Sequence, residues 1–216
     1  MKKQRYIFLL LLLVIFLGGC QMASEKTKKP SEMNPEDLPD VRAFQDEFTR
    51  GFLQSTEETR PGYYPFLSGT GKYEMDFPAN GVISERAYSL EKKRFEAIAI
   101  SDKINSSLIK VNYYSFIDSP STAMRTLEQR LNMELNFEKK EMESHDIYTA
   151  PFQYDEGTYG YVASLISKEK NGEIQIVYSA ECNKNKTPCI DAKKKDQEKM
   201  RNWLKSINFN QKESEG

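Results

Sequence analysis

Apolar residues recur at helical spacing in three stretches of the chain. In each stretch they stand three or four residues apart, which places them on one face of an α-helix. The first stretch follows Asp40, a good N-cap residue, and the second follows Ser119-Pro120, where serine caps the helix and proline suits its first position. The pattern therefore predicts helices over 41–54, from 119 onward, and from 188 or 191 to 206. Their apolar stripes are Val41, Phe44, Phe48 and Phe52; Met124, Leu127, Leu131 and Leu135; and Met200, Trp203, Leu204 and Ile207.

Between these helices apolar and polar residues alternate, as they do in strands with one buried face. In residues 72–77, for example, Tyr73, Met75 and Phe77 share one face. Strands that follow one another through short turns pair antiparallel, and helices can then cover the faces of the sheet. We therefore predict an α+β fold, with a mainly antiparallel β-sheet covered by helices. The predicted strands are 63–67, 72–77, 86–90, 94–100, 108–117, 158–167 and 173–181, with one or two more within 138–150.

The first twenty residues follow a different pattern. Basic residues precede an apolar run over 6–17, and that run leads into Leu17-Gly18-Gly19-Cys20. The run is shorter than the roughly 20 residues that a membrane-spanning helix needs, and it has the length of a signal-peptide core. The stretch resembles a bacterial lipoprotein signal peptide with its lipobox. The resemblance implies cleavage before Cys20 and acylation of that cysteine with chains such as palmitate. An ordinary signal peptide with an incidental cysteine, or an N-terminal anchor helix, is the alternative.

Composition and charge indicate how the rest of the chain is organised. With 38% hydrophobic and 12% aromatic residues the chain can build a core, and its 216 residues suit one domain. We predict a signal peptide over 1–19, the acylated Cys20 and a flexible linker over 20–39, a single domain over 40–210 and a polar tail over 211–216. An ordered linker that lies on the domain is the alternative. The net charge of −1 gives no overall positive field, so we expect no nucleic-acid partner.

Two further cysteines, Cys182 and Cys189, lie near the C-terminus with six residues between them. If the signal peptide directs export, both lie outside the cytosol, where a disulfide can persist. We therefore predict that they form a structural disulfide. A redox-active pair is a weaker interpretation, because such cysteines are usually two residues apart. A zinc site is weaker still, because the neighbourhood lacks further ligands.

Few residues could carry out catalysis. His145 is the only histidine, and its polar surroundings predict an exposed turn. Carboxylate pairs such as Glu57-Glu58 or Asp155-Glu156 could in principle hydrolyse a wall glycan, although 32 acidic residues make such pairs common by chance. We therefore predict that the protein is not an enzyme and has no catalytic residue, cofactor or metal site. A cell-envelope hydrolase that acts on wall polymer is the alternative.

Aromatic residues give the remaining indication of a site. Tyr63, Tyr64 and Phe66 cluster beside a turn, and Tyr154 lies in a second aromatic stretch. Tyrosine-rich surfaces suit contact with proteins or glycans, because each ring adds contact area and a hydroxyl at low entropic cost. These four residues form the predicted binding surface. The alternative is that their rings fill the core faces of the sheet.

Two family resemblances complete the prediction. The whole chain resembles the uncharacterised YvcA-type lipoproteins of Bacillus. Two segments look like the opening strand and turn, and the last helix with its short final strand, of PsbP-like α/β/α sandwich domains: Gly71-Lys72-Tyr73-Glu74-Met75-Asp76-Phe77-Pro78-Ala79-Asn80 and Trp203-Leu204-Lys205-Ser206-Ile207-Asn208-Phe209. Neither resemblance implies a catalytic residue. They predict a lipoprotein anchored to the cell membrane on its extracytoplasmic face, which acts as a non-enzymatic binding or accessory module for an envelope protein or a ligand.

Overall fold

The computed structural model describes residues 28–103, 106–117, 119–154, 157–169, 172–182 and 189–210. Within these ranges eleven strands form two antiparallel sheets. The strands are β1 (Tyr63–Leu67), β2 (Tyr73–Pro78), β3 (Val82–Ile83), β4 (Ser89–Glu91), β5 (Phe95–Asp102), β6 (Ser107–Tyr114), β7 (Glu138–Glu141), β8 (His145–Gln153), β9 (Thr158–Ser167), β10 (Glu173–Glu181) and β11 (Asn208–Phe209). The α+β class predicted from the sequence is confirmed.

The larger sheet has the strand order β3-β5-β6-β10-β9-β8-β7, and β4 pairs with the outer edge of β5. Strand β10 lies at its centre, where Ile176 is opposite Val111 of β6 on one side and Ala163 of β9 on the other. The smaller sheet has the order β1-β2-β11. Its third strand comes from the end of the chain, so the C-terminal segment closes the sheet that the N-terminal segment begins.

Four α-helices lie within the described ranges: α1 (Arg42–Gln45), α2 (Glu47–Arg50), α3 (Pro120–Leu131) and α4 (Cys189–Leu204). The predicted first helix, 41–54, is therefore divided into two short helices. Asp46 divides it because its backbone is extended and its carboxylate accepts a hydrogen bond from the Thr49 amide at 2.8 Å, which caps α2. No helix in the described part of the chain is long and apolar enough to cross a membrane.

The core lies on both faces of the larger sheet. On one face, residues such as Ile98, Val111 and Ile176 pack against the smaller sheet and the C-terminal half of α4. On the other face, Val162 and Val177 of the central strands pack with Ala150 and Phe152 of β8. These side chains contact Leu127 and Leu131 of α3. Successive residues of a strand point to opposite faces, so the central strands β9 and β10 contribute to both layers.

Part of the predicted linker is ordered. Residues 28–39 contain two single-turn 3-10 helices, Pro30–Glu32 and Pro35–Asp37. Pro30 is buried and contacts α2, and Leu38 packs against the core. For this stretch the ordered extension is therefore the correct alternative, because proline favours the turn geometry and Leu38 gains by leaving water. The predicted signal peptide 1–19, Cys20 and the predicted tail 211–216 lie outside the described residues, and the domain boundaries stay a prediction.

Candidate functional site

A disulfide joins the end of β10 to the beginning of α4. Cys182 follows the last residue of β10, and Cys189 is the first residue of the helix. Their Cα atoms are 5.4 Å apart, which is typical of a disulfide. The predicted bridge is therefore present, and it holds the first turn of α4 close to one end of the larger sheet.

Apolar packing holds only the C-terminal half of α4. The buried residues of the helix are Met200, Trp203 and Leu204. The Trp203 indole donates a hydrogen bond to the carbonyl of Asp76 at 2.6 Å, which ties the helix to strand β2 of the smaller sheet. Near the other end of the helix, Ile190 is 80% exposed. The N-terminal half of α4 therefore needs other contacts to stay on the sheet.

Tyrosine hydroxyls supply those contacts. Tyr159 on β9 and Tyr178 on β10 both donate to the same carboxylate oxygen of Asp196, Oδ2, at 2.6 and 2.7 Å. Tyr161 donates to the main-chain carbonyl of Lys193 at 2.7 Å. The three tyrosines lie side by side on one face of the sheet, because Tyr161 is paired with Tyr178 and is two residues from Tyr159. We call Tyr159, Tyr161, Tyr178 and Asp196 the tyrosine latch.

The latch keeps its tyrosines protonated. Burial raises the pKa of both Tyr159 and Tyr178 well above the ordinary value, and hydrogen bonding to Asp196 and the charge of that carboxylate raise it further. Both phenols therefore remain hydrogen-bond donors at neutral pH. Both donate to the same oxygen of Asp196, Oδ2.

A small cleft of about 30 Å³ opens between α4, the larger sheet and the smaller sheet. Ring and aliphatic groups of Ile109, Tyr178, Met200 and Trp203 line it. Asp102 and Asp196 bring carboxylates to it, and Lys199 brings a positive charge. The other lining residues are Tyr63, Pro78 and Ser107. An apolar cleft with a few polar groups is typical of ligand sites. Its small volume suits the tip of one apolar side chain, beside a hydrogen-bond donor or a positive charge for Asp196.

The binding surface predicted from the aromatic residues is wrong for two of its four members. Tyr64 and Phe66 are 4% and 1% exposed, and Tyr64 packs edge-to-face on Phe44. Both fill the core because they are in β1, which packs against the larger sheet. Tyr63 is also buried, although it lines the cleft. Tyr154 is 53% exposed and contacts Phe152.

The predicted environment of His145 is also wrong. This residue begins β8 and is 2% exposed, with its ring 5.8 Å from that of Phe209 and its Nδ1 3.0 Å from the Ser144 hydroxyl. Alternation in β8 explains the position, because His145 and the buried Ile147 share one face. Burial lowers the pKa of the imidazole. His145 is therefore a core residue.

The carboxylate pairs considered for hydrolysis do not form a site in the described residues. Glu57 and Glu58 are exposed in a loop, and Asp155-Glu156 lies outside those residues. Within the described ranges no group of three or more His, Cys, Asp or Glu side chains could hold a metal ion.

Sequence reasoning missed the buried carboxylates, of which Glu96 and Glu173 are fully buried. Glu96 accepts hydrogen bonds from the Gly69 amide at 2.7 Å and the Tyr88 hydroxyl at 3.2 Å. Glu173 accepts from the Ser164 hydroxyl at 2.6 Å. Burial raises the pKa of both, against the lowering effect of their hydrogen bonds. The two lie on opposite faces of the larger sheet, so they do not form a pair. Glu96 could have been found from its place in the apolar alternation of β5.

Solved structures of two proteins resemble this architecture. The Ran-binding protein Mog1p of Saccharomyces cerevisiae superposes with a TM-score of 0.46 and 9% sequence identity, over 68% of this chain and 94% of its own. Cyanobacterial PsbP from Synechocystis sp. PCC 6803 superposes with a TM-score of 0.47 and 10% identity, over 70% of this chain and 94% of its own. These likenesses concern the fold alone.

Sequence comparison assigns the family. The structure is an antiparallel α+β domain, and the sequence relatives make the protein a membrane-anchored lipoprotein. The family model YvcA_Mog1p, described as "Putative lipoprotein YvcA", matches residues 39–208. The chain is also 32% identical to "Putative lipoprotein YvcA" of Bacillus subtilis (strain 168), over 97% of each chain. The chain therefore belongs to the YvcA lipoprotein family, which confirms the predicted resemblance.

Proposed function

We propose that the protein is a non-enzymatic binding module, held at the extracytoplasmic face of the cell membrane by lipid on Cys20. Its cleft receives an apolar side chain that stands beside a positive charge or a hydrogen-bond donor on an envelope protein. The observation that carries the proposal is the cleft itself, where Asp196 meets an apolar lining beside the tyrosine latch.

The contacts of Asp196 support this choice of ligand. Its Oδ2 is already bound by two phenols, so an incoming donor would bind Oδ1 without breaking the latch. A carboxylate that is already oriented loses little freedom on binding, which favours affinity. Trp203 and Met200 offer the type of apolar surface on which interface anchors pack. The cleft therefore combines an apolar pocket with an oriented acceptor.

The charge at the rim refines the proposal. Lys199 lies one helical turn from Asp196, and both line the cleft. The Asp196 carboxylate would repel a ligand that carries only negative charge, and the Lys199 ammonium would repel one that carries only positive charge. The arrangement suits a polypeptide segment, in which a donor group and a carbonyl or carboxylate can stand a few ångströms apart.

Photo-crosslinking in intact cells tests the proposal. A photoreactive residue replaces Lys199 at the cleft, or Lys194 on another face of the same helix as the matched control, in the full-length protein. We expect one reproducible envelope protein to be captured from position 199 and not from position 194. Capture of the same proteins from both positions, or of none from position 199, would contradict the cleft as the binding site.

Anchoring has its own test. Replacing Cys20 with alanine removes the thiol that takes the lipid, so the precursor should stay unprocessed and unacylated. Mass spectrometry of the purified protein gives the result directly. A protein that is processed and acylated normally without Cys20 would contradict the proposed anchor.

A further inference from the structure

The hairpin between β4 and β5 ends in a strongly basic turn. The Arg94 amide donates a hydrogen bond to the carbonyl of Glu91 at 2.8 Å, which closes a turn around Lys92 and Lys93. Both lysines have positive φ angles, 43° and 57°. Turn positions with positive φ angles favour asparagine and glycine, because other side chains clash with the backbone there. The turn therefore keeps two lysines where its backbone favours other residues, which points to a role for their charge.

Exposed apolar side chains flank this turn. Leu90 is 45% exposed and Phe116 is 59% exposed. The Arg94 guanidinium lies 6.0 Å from the centre of the Phe116 ring, which joins the basic and the apolar parts into one patch. We call Leu90, Lys92, Lys93, Arg94 and Phe116 the hairpin tip. Basic residues around exposed apolar side chains are typical of surfaces that contact anionic lipid headgroups.

The hairpin tip and the cleft lie at opposite ends of the larger sheet. Phe95 at the tip is paired with Tyr114, which is paired in turn with Glu173 at the beginning of β10. The disulfide follows the other end of β10, and the cleft reaches Ser107 at the other end of β6. A surface that held the tip would therefore leave the cleft facing away from it.

We propose that the hairpin tip rests on the anionic headgroups of the membrane that anchors the protein. The three basic side chains outweigh Glu91, the exposed acid at the base of the turn. They attract anionic lipid locally, although the whole chain has a net charge of −1. Seven residues separate Cys20 from Lys28, the first described residue, and the eight Cα–Cα steps between the two span at most about 29 Å. The lipid on Cys20 would therefore keep the domain close to the bilayer, and the tip would orient it.

The inference rests on the proposed lipid anchor, and a fluorescence experiment separates the two. Full-length acylated protein is reconstituted in vesicles of neutral lipid, or of neutral lipid with a fifth of anionic phosphatidylglycerol. Leu90→Trp reports at the tip, and Phe116→Trp is a second reporter there. Ile190→Trp is the matched control, because it places the same indole on an exposed apolar position near the other end of the sheet. Bilayer contact is measured as quenching by brominated lipid, with the buried Trp203 as the common background.

We expect lipid quenching at position 90 or 116 in anionic vesicles, little in neutral ones, and little at position 190 in either. Each lysine near an anionic surface favours contact about fivefold, so Lys92→Gln with Lys93→Gln should weaken contact about 25-fold and reduce the quenching. Three results would overturn the inference: equal quenching at positions 90 and 190, quenching that does not depend on anionic lipid, or no quenching at either tip reporter. The last result includes the case in which the tip binds a protein. If the protein does not float with the vesicles, that result contradicts the lipid anchor and not the role of the tip.

Discussion

The two halves of helix α4 are held to the domain by different kinds of interaction. The C-terminal half buries Met200, Trp203 and Leu204 in the core. The N-terminal half is held by the disulfide and by the hydrogen bonds of the tyrosine latch. Apolar burial stabilises the fold without regard to direction, whereas hydrogen bonds and a disulfide fix a position. The difference shows how one helix can be held by core packing at one end and by polar contacts at the other.

Replacing Trp203 with alanine should have the largest effect on stability. The change empties a buried site and removes the hydrogen bond to the Asp76 carbonyl, so we expect a loss of about 3–5 kcal/mol in the free energy of unfolding. Denaturation in urea measures it. Asn202→Ala, at the exposed neighbouring position, is the control and should change stability by less than about 0.5 kcal/mol. Similar losses in both variants would contradict the conclusion that burial of the C-terminal half of α4 stabilises the fold.

Removing the disulfide should have the next largest effect. The bridge closes a short loop, and the chain-entropy model gives about 2.5 kcal/mol for a loop of this size. Cys182→Ser with Cys189→Ser should therefore lower the free energy of unfolding by about that amount, and reduction of the wild type should match it. A loss larger than that of Trp203→Ala would reverse the comparison between the two halves.

Asp196→Asn should destabilise the N-terminal half to a smaller extent. Two phenols would donate to a neutral amide oxygen in place of a carboxylate, and we expect a loss of about 1–2 kcal/mol. The matched control is Glu198→Gln, an exposed acid two residues further along the same helix. Hydrogen exchange followed by mass spectrometry should show faster exchange at the N-terminal half of α4 in Asp196→Asn. Unchanged exchange there would mean that the latch does not hold the helix.

The pH dependence gives the smallest effect. The pKa values of Tyr159 and Tyr178 are raised in the folded state, while a tyrosine in the unfolded chain has a pKa of about 10. The contribution of the tyrosine latch to the free energy of unfolding is therefore complete below about pH 10. It decreases as the pH rises further, because the tyrosines of the unfolded chain lose their protons first. Urea midpoints between pH 8 and 11 should fall less steeply for Tyr178→Phe than for the wild type. Equal slopes would show that Tyr178 does not couple to folding.

The strands were predictable where the pattern is local. Strands β9 and β10 coincide with the predicted 158–167 and 173–181, because runs of β-branched and aromatic residues are bounded by turn residues. The first helix was predicted as one element because its apolar stripe continues past Asp46. The sequence does not show that the Asp46 side chain caps a new helix instead of continuing the old one, since the same residue is compatible with both.

The candidate site was much less predictable. The Tyr159 and Asp196 side chains meet across 37 positions of sequence, and only the packing of α4 on β9 brings them together. Tyr64 and Phe66 illustrate the opposite case. Their strand was predicted correctly. Because one face of such a strand is buried, that prediction already implied that both side chains lie in the core. A cluster of aromatic residues in a predicted strand is therefore weak evidence for a binding surface.

Filling the cleft tests the central claim most directly. Ile109 lines the cleft, and Ile109→Trp would occupy part of its volume; Lys110→Trp adds the same side chain at the neighbouring exposed position of β6. Each variant carries the photoreactive residue at position 199, and the yield of captured envelope protein is measured alongside the melting temperature. We predict that Ile109→Trp abolishes capture while the domain stays folded, and that Lys110→Trp captures like the wild type. Undiminished capture by folded Ile109→Trp would contradict the cleft as the binding site.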